Sequence, residues 1–187
     1  MKKVSVFTVL GCLVLLLVGC VPSLHPFYTS KDLVYEPLLE GTWSDGEKAT
    51  WIYEKSQDSS YTVTYIDDTT PGIFDCHLFK IGNQTYIDFY PRELPTSIKD
   101  QLNDFYKFHL LPIHTLAKLT FKKDSIDMAM MDMDFLKELS QKNKLNTKYE
   151  KIEDAIVFTA SSKELQKFIK ANPRSLFAKP GTLTRTK

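Results

Sequence analysis

"IFDCHLFKIGNQTYIDFYP", residues 73–91, decides the fold. Two runs rich in aromatic and aliphatic residues flank Gly82-Asn83, a two-residue hairpin signal. The register of a hairpin follows from its turn, so this stretch predicts two antiparallel strands. Upstream, "SYTVTYID" (60–67) alternates. It puts Tyr61, Val63 and Tyr65 on one face and Thr62, Thr64 and Ile66 on the other, as a half-buried strand requires. "DDTTPG" (67–72) joins it to the hairpin as a turn cluster. Thr50 to Lys55 reads as a strand, Asp45-Gly46 as a turn, and Gly41-Thr42-Trp43 as the start of the first strand. Five strands in a meander result.

Downstream the period changes. Pro95-Thr96-Ser97 is a helix start, and Ile98, Leu102 and Phe105 recur at helical spacing as far as residue 108. Pro112 ends that segment. "IHTLAKLTF" (113–121) and "SIDMAMMDM" (125–133) form another hairpin turning at Lys123-Asp124. "DFLKELSQKNK" (134–144) reads as a short helix capped by Asp134. "AIVFTA" (155–160) is a strand. Ser161 with Glu164 makes a capping box for a helix that buries Leu165, Phe168 and Ile169. Asn172-Pro173 stops it, and "GTLTRTK" (181–187) supplies a strand to close the sheet. The sum is an α+β chain, mainly antiparallel β. About eight or nine strands and two or three short helices make a barrel or a strongly curled sheet. Closure would remove exposed strand edges, which are prone to aggregate.

The N-terminus has a different character. Lys2 and Lys3 precede an uncharged apolar run, Val4 to Val18, which ends in Leu17-Val18-Gly19-Cys20. These four residues resemble the lipobox of bacterial lipoprotein signal peptides. The resemblance implies that Cys20 is the lipid attachment residue. It also implies cleavage between Gly19 and Cys20 and acylation of the new α-amine. Residues 1–19 are then a removed targeting segment, 20–40 a lipidated tether or strap, and 41–187 a single β-rich domain. Val9-Leu10-Gly11-Cys12 has a similar pattern. Processing there would leave a shorter h-region and expose "LVLLLVG", so Cys20 is the expected site. The rival is an uncleaved membrane span, for which Val4 to Val21 is about long enough. Val21 after the lipid is not the aspartate linked to inner-membrane retention in the lipoproteins this chain resembles. In a didermic host the resemblance therefore implies the outer membrane. "CVPSLHPFYTSKDLVYEPLLEGTW" (20–43) is also similar to the start of small uncharacterised bacterial lipoproteins. Gly41-Thr42-Trp43 resembles the G-x-W motif of lipocalin-like barrels, which implies that Trp43 plugs a closed barrel end.

Composition narrows the function. The chain has 187 residues, 43% hydrophobic and 12% aromatic, the balance of a globular protein. Loss of Lys2 and Lys3 lowers the basic count from 24 to 22 against 23 acidic residues, a net charge of about −1. No basic stripe points to nucleic acid. Once Cys20 carries lipid, Cys76 is the last thiol and reads as buried core.

Sites of chemistry are scarce. Met128, Met130, Met131 and Met133 offer soft sulfurs suited to Cu(I), alongside His25, His77, His109 and His114. In a strand, however, Ile126, Met128 and Met130 share a core face while Met131 points the other way. His109 and His114 lack the spacing of a helical zinc pair. Asp127, Asp132 and Asp134 lack the glycine and closing glutamate of a calcium loop. No nucleophile elbow or phosphate loop is present. No catalytic residue, metal or cofactor is therefore expected. Trp51, Tyr53, Tyr61, Tyr65, Tyr86 and Tyr90 would line a cavity or pack a core.

These readings predict a lipid-anchored cell-envelope protein that acts as a binding or structural module. Its partners are the membrane through Cys20 and an envelope protein or a small apolar ligand. A carrier holding that ligand in an aromatic barrel is one alternative. An envelope enzyme is the other, and a pocket combining a histidine with two carboxylates would favour it.

Overall fold

The computed structural model describes residues 21–57, 59–67, 70–93, 96–173 and 175–186. Gly19 and Cys20, with the whole targeting segment, lie outside the described residues. In chain order the elements are β1 (Gly41–Ser44), β2 (Thr50–Lys55), β3 (Ser60–Asp67), β4 (Thr70–Ile81) and β5 (Gln84–Pro91). Then come α1 (Thr96–Lys99), α2 (Asp104–Phe108), β6 (Thr115–Phe121), β7 (Ser125–Met130) and α3 (Met133–Gln141). The chain continues through β8 (Tyr149–Ile152), β9 (Ala155–Phe158), α4 (Ser162–Ala171) and β10 (Gly181–Arg185). Eight of the strands form a closed antiparallel barrel in the order β1-β10-β7-β6-β5-β4-β3-β2. The barrel is a simple meander that β10 closes against β1. Of the barrel and the curled sheet that the alternating pattern predicted, the chain forms the barrel, and its α+β architecture is consistent with a lipocalin-like one.

The central hairpin turns at Gly82-Asn83, with Ile81 opposite Gln84. Gly82 has φ 63, the positive value that a II′ turn needs at its first position. Period two then sorts the side chains. Trp43, Tyr53, Tyr61, Val63, Cys76, Leu78, Ile87, Leu119 and Ile126 face inward and form one core. Tyr61, Val63, Cys76, Leu78 and Ile87 are fully buried, so side chains fill the barrel. Burial pushes the Cys76 thiol well above its usual range, as expected of an inert core cysteine.

A second core lies outside the barrel wall. Phe79, Tyr86, Leu116 and Ala129 pack there against Leu136 of α3, Phe158 of β9 and Leu165, Phe168 and Ile169 of α4. The Ser161–Glu164 capping box starts α4 as predicted. Three other expectations are corrected. Asp132, not Asp134, caps α3, accepting the Phe135 amide at 3.0 Å. The helix expected through residue 108 is two short pieces, because the chain turns at Gln101-Leu102 before Asn103 caps α2. "AIVFTA" has a partner that the pattern missed, β8, joined to it through Glu153 at φ 53.

Residues 21–40 are a strap built into the fold rather than a loose tether. Val21, Phe27 and Leu39 are buried. Val34 donates to Leu78 O at 2.9 Å, and Ser23 exchanges two backbone hydrogen bonds of 2.9 Å with His114.

Candidate functional site

The outward faces of β3, β4 and β5 carry polar residues where the strap crosses them. Register sets two adjacent rows across the wall. Ser60 lies opposite His77, and His77 opposite Asp88. Thr62 lies opposite Asp75, and Asp75 opposite Tyr90. His114, just before β6, puts its ring 4.5 Å from that of Tyr90. From the strap, Tyr28 stacks on His77 at 4.6 Å. Tyr28, Ser60, Asp75, His77, Tyr90 and His114 bound a cleft of about 660 Å³ that also reaches Arg92 and Gln57.

Asp88 is the centre of the cluster. It has no exposed surface, yet its carboxylate accepts the Phe27 amide at 2.9 Å and His114 Nδ1 at 2.7 Å. Burial pushes its carboxyl above the usual range, and the two hydrogen bonds offset part of that rise. When Nδ1–H donates to Asp88, neutral His114 keeps Nε2 as an acceptor. Arg92 and Asp75 pair at 2.6 Å near the solvent edge, and Arg92 also donates to Thr62 Oγ1 at 2.9 Å. Burial, followed by the Asp88 and Asp75 carboxylates, pushes the Tyr28 phenol up to about 12. Tyr28 therefore stays a neutral donor. The cleft thus offers aromatic faces, hydroxyls and imidazole nitrogens, with the Arg92–Asp75 ion pair at its edge.

His77 gives a pH dependence. Burial under Tyr28 lowers its pKa, and the nearby Asp88 and Asp75 only partly restore it. A histidine lowered in the folded state takes up protons first in the unfolded chain. The folded state therefore keeps the full contribution above pH ~6.5 and loses it as pH falls through the depressed folded value. Urea denaturation should show His77→Gln losing less stability than the parent over that acid window. Equal losses would mean that His77 does not titrate under the strap.

The residues singled out in the sequence fall in different places. Met128 and Met130 sit inside the barrel wall and Met131 on its outer side. His109 ends α2 with its ring against Phe105 and is not among the residues that line His114's cleft. Trp51, Tyr53, Tyr61 and Tyr65 belong to the inward set, whereas Tyr86 and Tyr90 face outward. At the open barrel mouth, Trp51 lies 4.5 Å from Tyr65 and 5.9 Å from Phe89. A recess of about 340 Å³ beside Trp51, Tyr65 and Met128 is rimmed by Asp45 and Glu47. Among the described residues, no group of three or more His, Cys, Asp and Glu side chains could hold a metal ion. Sequence reasoning missed the His77–Asp88–His114 cluster, although the Gly82-Asn83 turn alone puts His77 opposite Asp88. Comparison with protein-family models, curated proteins and solved structures finds no match.

Proposed function

We propose that the protein is a lipid-anchored component of the bacterial cell envelope that acts by binding, and that its ligand occupies the cleft on the barrel wall. Leu17-Val18-Gly19-Cys20 supports the anchor. The observation that carries the binding role is the filled barrel beside an open polar cleft. An internal ligand would have to displace Tyr61, Val63 and Leu78, each fully buried. The cleft lies within the usual size range of small-molecule sites. Its paired charges and mixed donors and acceptors suit a small neutral molecule rich in hydroxyl or amide groups. Val21 after the lipid supports an outer-membrane position in a didermic host.

Two measurements test this reading. Radioactive palmitate should label the wild type and Cys12→Ser but not Cys20→Ser, which should also keep its targeting segment. Label on Cys20→Ser would sink the anchor. Mass spectrometry of compounds co-purified with the lipidated protein should find a polar molecule that Tyr90→Ala loses and Trp51→Ala keeps. The opposite pattern would favour the apolar carrier, with its ligand in the mouth recess. The Asp88–His114 pair favours a second reading, an envelope enzyme with His114 as proton acceptor. Retained binding with lost turnover in His114→Gln would support it.

A further inference from the structure

A second pocket lies away from the wall cleft, between α4 and the segment that joins α3 to β8. Just past α3, Asn143 has φ 54, the left-handed value of a helix end. The Lys144 amide then donates to Leu139 O at 2.8 Å, and Lys148 O accepts the Thr159 amide at 3.1 Å. Both ends of the 144–148 segment are therefore fixed. Leu145 is buried between them, and Lys144, Asn146 and Lys148 are exposed. On α4, Leu165, Phe168 and Ile169 take the core face. Glu164, Lys167 and Ala171, spaced three and four apart, form the next stripe of the helix. That stripe and the 144–148 segment bound a pocket of about 630 Å³, and none of its lining residues lines the wall cleft.

The charge of this pocket is unbalanced. Lys144, Lys148 and Lys167 meet one carboxylate, Glu164, which leaves a net +2 in a chain whose formal total is +1. Glu164 is also committed to the start of α4. Its Oε2 accepts the Ser161 amide at 2.9 Å and the Ser161 hydroxyl at 2.7 Å. Its Oε1 lies 3.5 Å from Lys148, in an exposed pair that contributes little. Among the described residues, Lys144 and Lys167 have no ion pair. Thr147, on the same wall, has an enclosed hydroxyl with no hydrogen-bond partner. Folded chains seldom leave such a group unpaired, and a ligand oxygen reached by rotation about χ1 would satisfy it.

Amines gathered around one pocket repel each other, and a multivalent anion offsets that repulsion. A phosphate monoester carries about −1.5 to −2 charges at neutral pH and offers three acceptor oxygens. We infer that this pocket binds a phosphate monoester, with Lys144, Lys148 and Lys167 on the phosphate oxygens. The Asn146 amide beside them can hydrogen-bond the group that carries the phosphate. The site depends neither on the anchor nor on the ligand of the wall cleft. Two carriers present such a group, a soluble sugar phosphate and a phosphorylated lipid headgroup.

The test uses the full chain, lipidated in bacteria and held in non-ionic detergent micelles at constant ionic strength set with chloride. Amide NMR spectra are followed as inorganic phosphate or glucose 6-phosphate is added, or as phosphatidic acid is added to the micelles. Phosphatidylcholine, a diester, is the lipid control. The amides of residues 144–148 and of Lys167 should shift to saturation. Lys144→Gln and Lys167→Gln should each weaken binding roughly tenfold, while Lys123→Gln on the far turn should not. Glu164→Gln keeps the capping box, in which glutamine also serves, and should bind about threefold more tightly because the opposing charge is gone. These variants change exposed side chains, and the same spectra show that each is folded. Tighter binding of glucose 6-phosphate than of phosphatidic acid identifies a soluble ligand, and the reverse order a lipid headgroup. Shifts that both lysine variants keep, or a Glu164→Gln protein that binds no more tightly, would overturn the site. So would amides that phosphate moves no more than chloride does.

Discussion

Trp43→Ala should lower the unfolding free energy by about 3–5 kcal/mol, the usual cost of deleting a large buried aromatic ring. Trp43 is only 2% exposed, and its Nε1 donates to Leu39 O at 2.9 Å. The Arg185 guanidinium covers the ring at 4.3 Å and also donates to Glu40 O at 2.7 Å. These contacts sit where the barrel is weakest. Among the described residues, two pairs, Trp43–Arg185 and Ser44–Thr184, are in register across the β1–β10 seam, and the Thr186 amide adds a hydrogen bond to Thr42 O at 2.8 Å. Removing the ring leaves a cavity, an unpaired carbonyl and a cation without its aromatic face. The loss is a large share of a typical total of about 5–15 kcal/mol. Urea denaturation followed by circular dichroism would measure it. Trp43→Phe should cost less, since it keeps most of the ring and loses the hydrogen bond. Arg185→Ala in the Trp43→Ala background should add less than it does alone, because the two share one contact. An unchanged midpoint in Trp43→Ala would place the barrel seam elsewhere.

The barrel was legible because strands such as β3 obey period two over several residues, although β5 is buried on both faces from Tyr86 to Phe89. The Gly82-Asn83 turn fixed the register of its centre, and the same alternation placed Ile126, Met128 and Met130 on the core face. The capping box at Ser161 was readable because its two partners are three residues apart. What escaped the sequence depends on distant residues. β8 is four residues long and three of them are exposed, so only its pairing with β9 reveals it. Asp132 and Asp134 are equally good caps by type. The bridge from Met131 to Phe177 ends the strand early and leaves Asp132 at the helix start. The strap was the hardest segment. "VPSLHPFYTSKD" has no period, because successive residues answer to different neighbours rather than to one face. Phe27 packs into the outer core, its amide meets Asp88, and its carbonyl accepts from Gln166 Nε2 at 3.2 Å.

The cleft was half legible for the same reason. Hairpin register gives His77 opposite Asp88, and that much needs only the turn. His114 and Tyr28 arrive through a 23-residue connection and a strap, and neither leaves a local signature. Asp88 itself carries a signal in its context. It stands between Ile87 and Phe89 in a strand whose neighbours are all buried, and a carboxylate in such a place needs partners from elsewhere.

That need makes Asp88→Ala the second large loss expected. The substitution strands the Phe27 amide and His114 Nδ1 in a buried site. At roughly 1–3 kcal/mol for each orphaned group, the expected loss is about 2–6 kcal/mol. The effect should be concentrated in the strap, because Asp88 joins it to β5 and to the residue preceding β6. The Phe27 amide should exchange with deuterium faster in Asp88→Ala, while Val63 and Leu78 inside the barrel change less. Asp88→Asn keeps one acceptor and should retain part of the stability. The charge itself works in the opposite direction. Burial holds the Asp88 carboxyl above its unfolded value, so the folded state binds that proton more tightly than the unfolded chain does. Its ionisation contribution is therefore most favourable below the unfolded value of about 3.9 and declines as pH rises through the raised folded one. Asp88→Asn cannot titrate. The advantage of the parent over Asp88→Asn should then be greatest in acid and shrink toward neutral pH. An advantage that grows with pH would mean that His114 holds Asp88 as a stabilised carboxylate. A strap amide that exchanges no faster in Asp88→Ala would mean that Ser23, Val34 and Gln166 hold the strap without it.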